Sequence, residues 1–277
     1  GLCLVGSEMC IRDSFFAACG MFGCLPLLQS NELTNIFRSM FFDPQGWFTG
    51  SAETTGNALF GLLLAILVGL VVVGGIKRIG AVASRLVPGM VLLYGGTALV
   101  ILFLHADAVQ PAFRLIFSEA FSGGAAAGGL LGTAIKEGVK RAAFSNEAGM
   151  GTEAMAHGAA KTKEPIREGL VAMWGPVIDT LLMCTLTGLV LLVTGVKDSG
   201  DGEGIILTTQ AFETALPGVG SYLLLAAALC LSFSSMIGFS YYVVKCGCFL
   251  FGRAARLPVI GFYLLTIVLS AVVEMTV

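Results

Sequence analysis

Apolar residues run almost unbroken over six stretches of this chain, at 15–28, 56–76, 86–104, 170–194, 219–244 and 257–274. Most approach the roughly 20 residues that carry a helix across a bilayer. Only helices and closed barrels satisfy a backbone inside hydrocarbon. A barrel would show alternation over about 10 residues; these runs are continuous, so the pattern predicts an all-α integral membrane protein, a multi-span helical bundle. Between the third and fourth runs lies a Gly-rich, polar-interrupted stretch, 123–157, which reads as a broken crossing. Ahead of it, Val109, Phe113, Ile116, Phe117 and Phe121 recur at helical spacing. They predict an amphipathic helix at the membrane surface, either packing in the interface or acting as a lid.

Charge gives the runs a direction. Lys77, Arg78 and Arg85 follow the second run, Lys161, Lys163 and Arg167 follow the broken stretch, and Lys245, Arg253 and Arg256 follow the run 219–244. The alternate connections 31–55, 105–119 and 197–203 carry little positive charge. Positive charge marks the cytoplasmic side, and the alternation holds only if 123–157 crosses once.

Composition narrows the class further. Residues are 56% hydrophobic and 12% charged, against about 25% charged in soluble domains, so lipid is the main solvent and partner. A net charge of −2 excludes nucleic acid as an expected partner. The eight cysteines do not read as a disulfide framework: Cys184 and Cys230 lie in apolar runs, where Cys behaves as a small hydrophobe, and Cys246 and Cys248 have no His nearby to complete a zinc site. Residues 1–14 show no span pattern and no basic leader before an apolar core. They read as a non-native, adapter-like leader, with the membrane domain at 15–277 starting inside an apolar helix.

Candidate chemistry concentrates at the breaks. Lys136, Glu137, Lys140, Arg141, Asn146, Glu147 and Glu153 fall in the crossing stretch, and ionisable residues at membrane depth are functional candidates by default. The run FSNEAGMGT (144–152) mixes Ser145, Asn146 and Glu147 with Gly149 and Gly151. Unwound there, a helix offers N–H groups to a carboxylate and C=O groups to Na⁺; a re-entrant turn with its own salt bridges is the competing reading. In the run 219–244 Leu231, Ser234 and Ser235 share a helix face, two hydroxyls and a carbonyl suited to an alkali cation, though Ser in an apolar helix more often back-bonds or packs. Gln29 and Asn31 follow Pro26 and suit a zwitterion or a helix-end cap. Asp179 is a carboxylate in an apolar run, on an ion or proton path or at the interface. His105 and His157 sit apart in loops, as solvated His do. No Gly-x-Ser-x-Gly, His-Glu-x-x-His or phosphate-binding loop is found, so no enzyme is expected.

The stretch GVKRAAFSNEAGMG (138–151) resembles a signature of the sodium:alanine symporter family, the alanine or glycine:cation symporters. HGAAKTK (157–163), Pro165, Gly169-Leu170, Ile178-Asp179-Thr180, LPLLQSN (25–31), GGIKR (74–78) and Phe233–Gly238 with Tyr241 and Lys245 extend the likeness in family order. The resemblance implies a LeuT-like fold of inverted repeats, here partial, since the family's first helices and its last helix are not in the chain. It implies a bacterial-type plasma (inner) membrane location and sodium-coupled symport of a small neutral amino acid, alanine or glycine, by alternating access. Sodium is then a co-substrate, with no cofactor. Gln29, Asn31, Ser145, Asn146, Gly149, Ser235 and Phe239 would hold substrate; the Leu231 carbonyl, Ser234 and Ser235 would hold sodium; Glu147 would be an anchor or part of a gate. Family members often have Thr-Ile-Leu-Gly-Trp where Ser235–Phe239 reads SMIGF, so Phe239 implies a roomier pocket. Proton coupling, an ion channel or a membrane enzyme are the alternatives.

Overall fold

The computed structural model describes residues 7–47, 52–120, 136, 138, 139, 145, 147, 149, 151–196 and 204–273. Every regular element among them is helical. Six helical stretches are long and apolar enough to cross a membrane: Ile11–Phe42, Glu53–Val72, Ile76–Leu104, Pro165–Thr194, Gly220–Phe251 and Arg253–Val272. The all-α, multi-span reading therefore holds. The broken crossing expected at 123–157 lies mostly outside the described residues.

The chain divides into two compact units, residues 1–91 with 225–277, and 92–224. The first contains α1 (Ser7–Gly23), α2 (Leu27–Phe37), a π-helical turn Arg38–Phe42, α3 (Glu53–Val72) and the start of α4 (Ile76–Leu104). Most of α10 (Gly220–Phe251) and all of α11 (Arg256–Val272) complete it. Helix α1 runs through residues 14 and 15 without a break. Polar residues 29–35, read from the sequence as the start of a loop, instead form α2, which restarts after Pro26. The reason is a buried polar seam. The Ser30 hydroxyl donates to the Ile267 carbonyl (2.8 Å), and the Asn31 amide donates to the carbonyls of Ser270 (3.0 Å) and Val273 (2.6 Å). The last carbonyls of a helix lack intrahelical partners, and Asn31 supplies two of those at the end of α11.

On its other side α11 meets α3 at near-backbone distance. A Cβ placed on Gly61 would lie 2.6 Å from Ala271 Cβ, so only glycine allows this approach. From the middle of α11, the buried Tyr263 hydroxyl donates to the Met236 carbonyl of α10 (2.6 Å). Helix α3 stops at Gly74-Gly75, with Gly75 at φ +73. Its final carbonyls are met by Arg78, donating to the Leu70 carbonyl (2.9 Å), and by Arg256, reaching the Val73 carbonyl (3.5 Å). Cations suit this end of the dipole. The charged segment 77–85, expected as a loop, thus begins α4 instead.

The second unit holds the end of α4, α5 (Ala106–Ala120), α6 (Glu153–His157), α7 (Pro165–Ala172), a π-helix Val177–Cys184, α8 (Thr185–Thr194), α9 (Ile205–Ala215) and the start of α10. The amphipathic α5 is present as expected, with Ala112 buried and Phe117 exposed. Tyr94 of α4 hydrogen-bonds Thr187 of α8 (2.5 Å) and stacks on Phe212 of α9. The turn into α10 is fixed by Glu213, whose carboxylate accepts from the Gly218 N–H (2.6 Å), the Ser221 N–H (3.2 Å) and the Ser221 hydroxyl (2.7 Å). It satisfies N–H groups that the first turn of α10 cannot.

Two outcomes follow. Gly61→Leu overpacks the α3–α11 contact and lowers the melting temperature of the purified protein, at a cost of about 1–3 kcal/mol, whereas Gly80→Ala, with open space around its Cβ, gives no loss. The Ser221 hydroxyl, then the two backbone N–H groups, hold the Glu213 carboxyl below its ordinary value of 4.5. Its stabilisation is therefore present above the ordinary carboxylate range and disappears as pH falls through the lowered value. Glu213→Gln melts below wild type at pH 7, and the gap closes in acid.

Candidate functional site

In the first unit the candidate residues lie on α2 and α10. Gln29 is half-buried on α2, and its Oε1 has no hydrogen-bond partner. Asn31, two residues on, is engaged on every side: its amide donates to α11 and its Oδ1 accepts from Asn35 (3.2 Å). It holds α2 to α11, and Gln29 is the amide left with an open acceptor. Asn57 on α3 is 6% exposed, and its Oδ1 is likewise without a partner. Sequence reasoning passed over Asn57; the signal was an amide near the start of an apolar helix.

Leu231, Ser234, Ser235 and Phe239 follow one another along α10, which is continuous there. Hydroxyls in apolar helices ordinarily bond back to a carbonyl three or four residues earlier. Thr34, Thr97, Thr187, Thr194, Thr209, Thr266 and Ser240 all do so. Ser234 and Ser235 are half-buried and make no such bond among the described residues. The Tyr263 hydroxyl grips the adjoining Met236 carbonyl, fixing the backbone at their level. Leu231 is exposed and Phe239 is buried, its ring 6.3 Å from that of Tyr242.

In the second unit Ser145 donates to Asp179 Oδ2 at 2.5 Å, so sequence positions 34 apart meet. Asp179 sits in the π-helix that follows Pro176. Proline has no N–H and crowds the carbonyl four residues earlier, which shifts the register from i→i+4 to i→i+5. That shift stacks Cys184 over Asp179, and the Cys184 thiol lies beside the same Ser145 hydroxyl. Glu147 has φ +58, a conformation uncommon for residues other than glycine. It is held by the Gly151 N–H on its carbonyl (3.1 Å) and the buried Thr152 hydroxyl on its carboxylate (3.1 Å). An outlier of this kind marks functional segments. Gly149 lies in the exposed turn beside it. Asn146, Lys140 and Arg141 fall outside the described residues.

His157, expected to be solvated, is not. Its Nδ1 meets Glu168 Oε1 at 2.7 Å and its Nε2 lies 3.6 Å from Glu153 Oε1. It clasps α6 to α7. The i, i+4 spacing from Glu153 was the readable half of this clasp; Glu168, 11 residues on, was not. No cluster of His, Cys, Asp and Glu that could hold a metal occurs among the described residues.

The sequence model of the sodium:alanine symporter family matches residues 4–277. The chain is 38% identical over 265 residues to the sodium/alanine symporter AgcS of Methanococcus maripaludis, covering 94% of this chain and 55% of that protein. It is 35% identical over 215 residues to the probable sodium/glutamine symporter GlnT of Bacillus subtilis, 78% of this chain and 42% of that protein. It is 31% identical over 235 residues to the sodium/proton-dependent alanine carrier protein of Bacillus sp. strain PS3, 80% and 50% respectively. The chain thus spans about half the length of the curated relatives it matches. Six apolar helices and a match over nearly the whole chain lead to one assignment: this is a multi-pass membrane protein that belongs to the sodium:alanine symporter family.

Proposed function

We propose that the protein carries a small neutral amino acid, alanine or glycine, into the cell together with Na⁺ across the plasma membrane, by alternating access in a LeuT-like arrangement of inverted repeats. The observation that carries the reading is the hydroxyl pair of Ser234 and Ser235, half-buried side by side on a membrane helix and without hydrogen bonds among the described residues, whereas Ser240 further along bonds back to the Ile237 carbonyl. With the Leu231 carbonyl they offer hard oxygens to an alkali cation, and that cation lends positive charge to the substrate carboxylate. The open Gln29 Oε1 suits the substrate ammonium, while Asn31 positions α2. Ser145 donates its proton to Asp179, which leaves its lone pairs to accept. In the second unit, the reading gives Asn146 and the backbone at Gly149 to the substrate as well, with Glu147 anchoring the turn that carries them.

In this reading Phe239, one turn after Ser235 on α10, lines the substrate pocket. Relatives carry names for alanine and for glutamine transport, so a residue that sets side-chain room matters here. Phe removes the volume and N–H donor that Trp would bring.

In proteoliposomes holding the full-length gene product, alanine uptake driven by an inward Na⁺ gradient falls at least about tenfold when K⁺ replaces Na⁺, a difference of about 1.4 kcal/mol. Uptake equal in the two cations refutes the sodium assignment. Ser234→Ala and Ser235→Ala each raise the Na⁺ concentration for half-maximal uptake by about tenfold or more. Phe239→Trp narrows the preference among Gly, Ala, Ser and Gln toward the smallest; an unchanged ranking removes Phe239 from the pocket.

A further inference from the structure

We propose that the corner where α3, α4 and α11 meet binds the phosphate of an anionic phospholipid, through the guanidinium groups of Arg78 and Arg256. Both arginines lie in the first unit, and the turn Gly74-Gly75 brings them together. A Cβ on Gly74 would collide with the Arg78 stem, and one on Gly75 would lie 3.1 Å from Arg256 Nη2. The two side chains thus lie over a bare stretch of backbone. Arg78 donates one N–H to the Leu70 carbonyl, and Arg256 donates one to the Val73 carbonyl. Those carbonyls are three residues apart, neighbours on a helix surface, so two cations are held within about one turn of each other. Lys77 precedes Arg78 and Arg253 lies three residues before Arg256; both are exposed. The elements that carry these cations hold no carboxylate to offset them: Asp and Glu do not occur between 54 and 106 or between 214 and 273. No ion pair to either arginine is found among the described residues. Like charges this close repel, and an anion offsets the repulsion.

The surroundings select the kind of anion. Leu70, Val73, Ile76 and Leu257 adjoin the arginines and are 61%, 59%, 45% and 70% exposed. They sit near the ends of α3, α4 and α11, each in a stretch apolar and long enough to cross a membrane. An inorganic phosphate gains nothing from that apolar rim. A phosphodiester carrying acyl chains matches both parts of the corner. Its oxygens take the guanidinium forks, which pair with phosphate through two parallel N–H···O bonds, and its chains lie against the exposed leucine and valine side chains. The bonds to the Leu70 and Val73 carbonyls lie at the surface, so the remaining N–H groups are open to a ligand. The charge pattern marks this end of the helices as cytoplasmic, where basic pockets between membrane helices meet acidic headgroups. Bound there, the lipid ties the end of α3 to the starts of α4 and α11. The site uses none of the residues of the transport reading and does not depend on it.

Native mass spectrometry of the full-length protein in neutral detergent, titrated with phosphatidylglycerol or with phosphatidylcholine, reads the binding directly and needs no transport. The expected result is a first phosphatidylglycerol bound about tenfold or more tighter than phosphatidylcholine. Arg78→Gln and Arg256→Gln each lower that affinity by about tenfold, the loss of a charge-assisted fork, while Arg114→Gln on α5 leaves it unchanged. Glutamine keeps an N–H for the carbonyl it caps and removes the charge, so the cap and the anion site come apart. Equal affinity for the two lipids overturns the proposal, as does phosphatidylglycerol affinity that survives in both Gln variants. Displacement of the lipid by equimolar inorganic phosphate also overturns it, since the site would then take the free anion. If the Gln variants do not fold, the wild type decides alone. Phosphatidylglycerol with a photoreactive diazirine near the top of its acyl chain labels the peptides around Leu70, Val73 and Leu257 more than photoreactive phosphatidylcholine does. Labelling confined to other peptides, or equal for the two lipids, means that something else covers the arginines, and the proposal falls.

Discussion

A helix in hydrocarbon has no water to replace a lost hydrogen bond, and the helix ends among the described residues are met by side chains accordingly. Where α2 restarts after Pro26, side chains of Ser30 and Asn31 meet the carbonyls of α11. Where α3 ends at Gly75, two arginines reach its last carbonyls. Where α10 begins, the Glu213 carboxylate meets its free N–H groups. Helix α11 is the centre of the first unit for the same reason: it receives Ser30 and Asn31 from α2, gives the Tyr263 hydroxyl to α10, and lies against the glycine face of α3.

The same constraint decides what was legible in the sequence. Span number and type could be read because hydrocarbon forces a continuous apolar run of bilayer length to close its own hydrogen bonds as a helix. The ends could not. Lys77, Arg78 and Arg85 looked like loop, yet long basic side chains are tolerated at the start of a helix when they turn back to cap the preceding one. The polar run 29–35 looked like loop because the partners of Ser30 and Asn31 are carbonyls more than 230 residues away, invisible to local pattern. The π-helix at Val177–Cys184 had one local sign, Pro176, and no compositional one.

The candidate site was readable as residue types and not as roles. Gln29 and Asn31 are both amides beside Pro26, and only the geometry separates an amide with an open oxygen from one bonded at every atom. Ser145 and Asp179 were singled out for separate reasons, and the hydrogen bond that joins them depends on a register shift. Glu147 was open between anchor and gate; the structure adds a positive φ and a bond from the Thr152 hydroxyl to its carboxylate, neither of which has a local sign in the sequence.

Among the described residues the unengaged polar groups share a sign. Gln29 Oε1 and Asn57 Oδ1 are oxygens without donors, and the Ser234 and Ser235 hydroxyls present lone pairs. Acceptors buried without donors cost about 1–3 kcal/mol each, so what offsets them must bring N–H groups or positive charge. A sodium ion, a proton and an amino-acid ammonium all do. The substrate carboxylate has the opposite need, and it is met by the cation itself or by N–H groups freed at a helix break. Under the transport reading proposed above, a membrane interior biased toward open acceptors suits a carrier that takes up its zwitterion only with a cation. Coupling would then be a consequence of desolvation: the substrate alone would leave these oxygens and its own carboxylate unmatched, and the ion would resolve both.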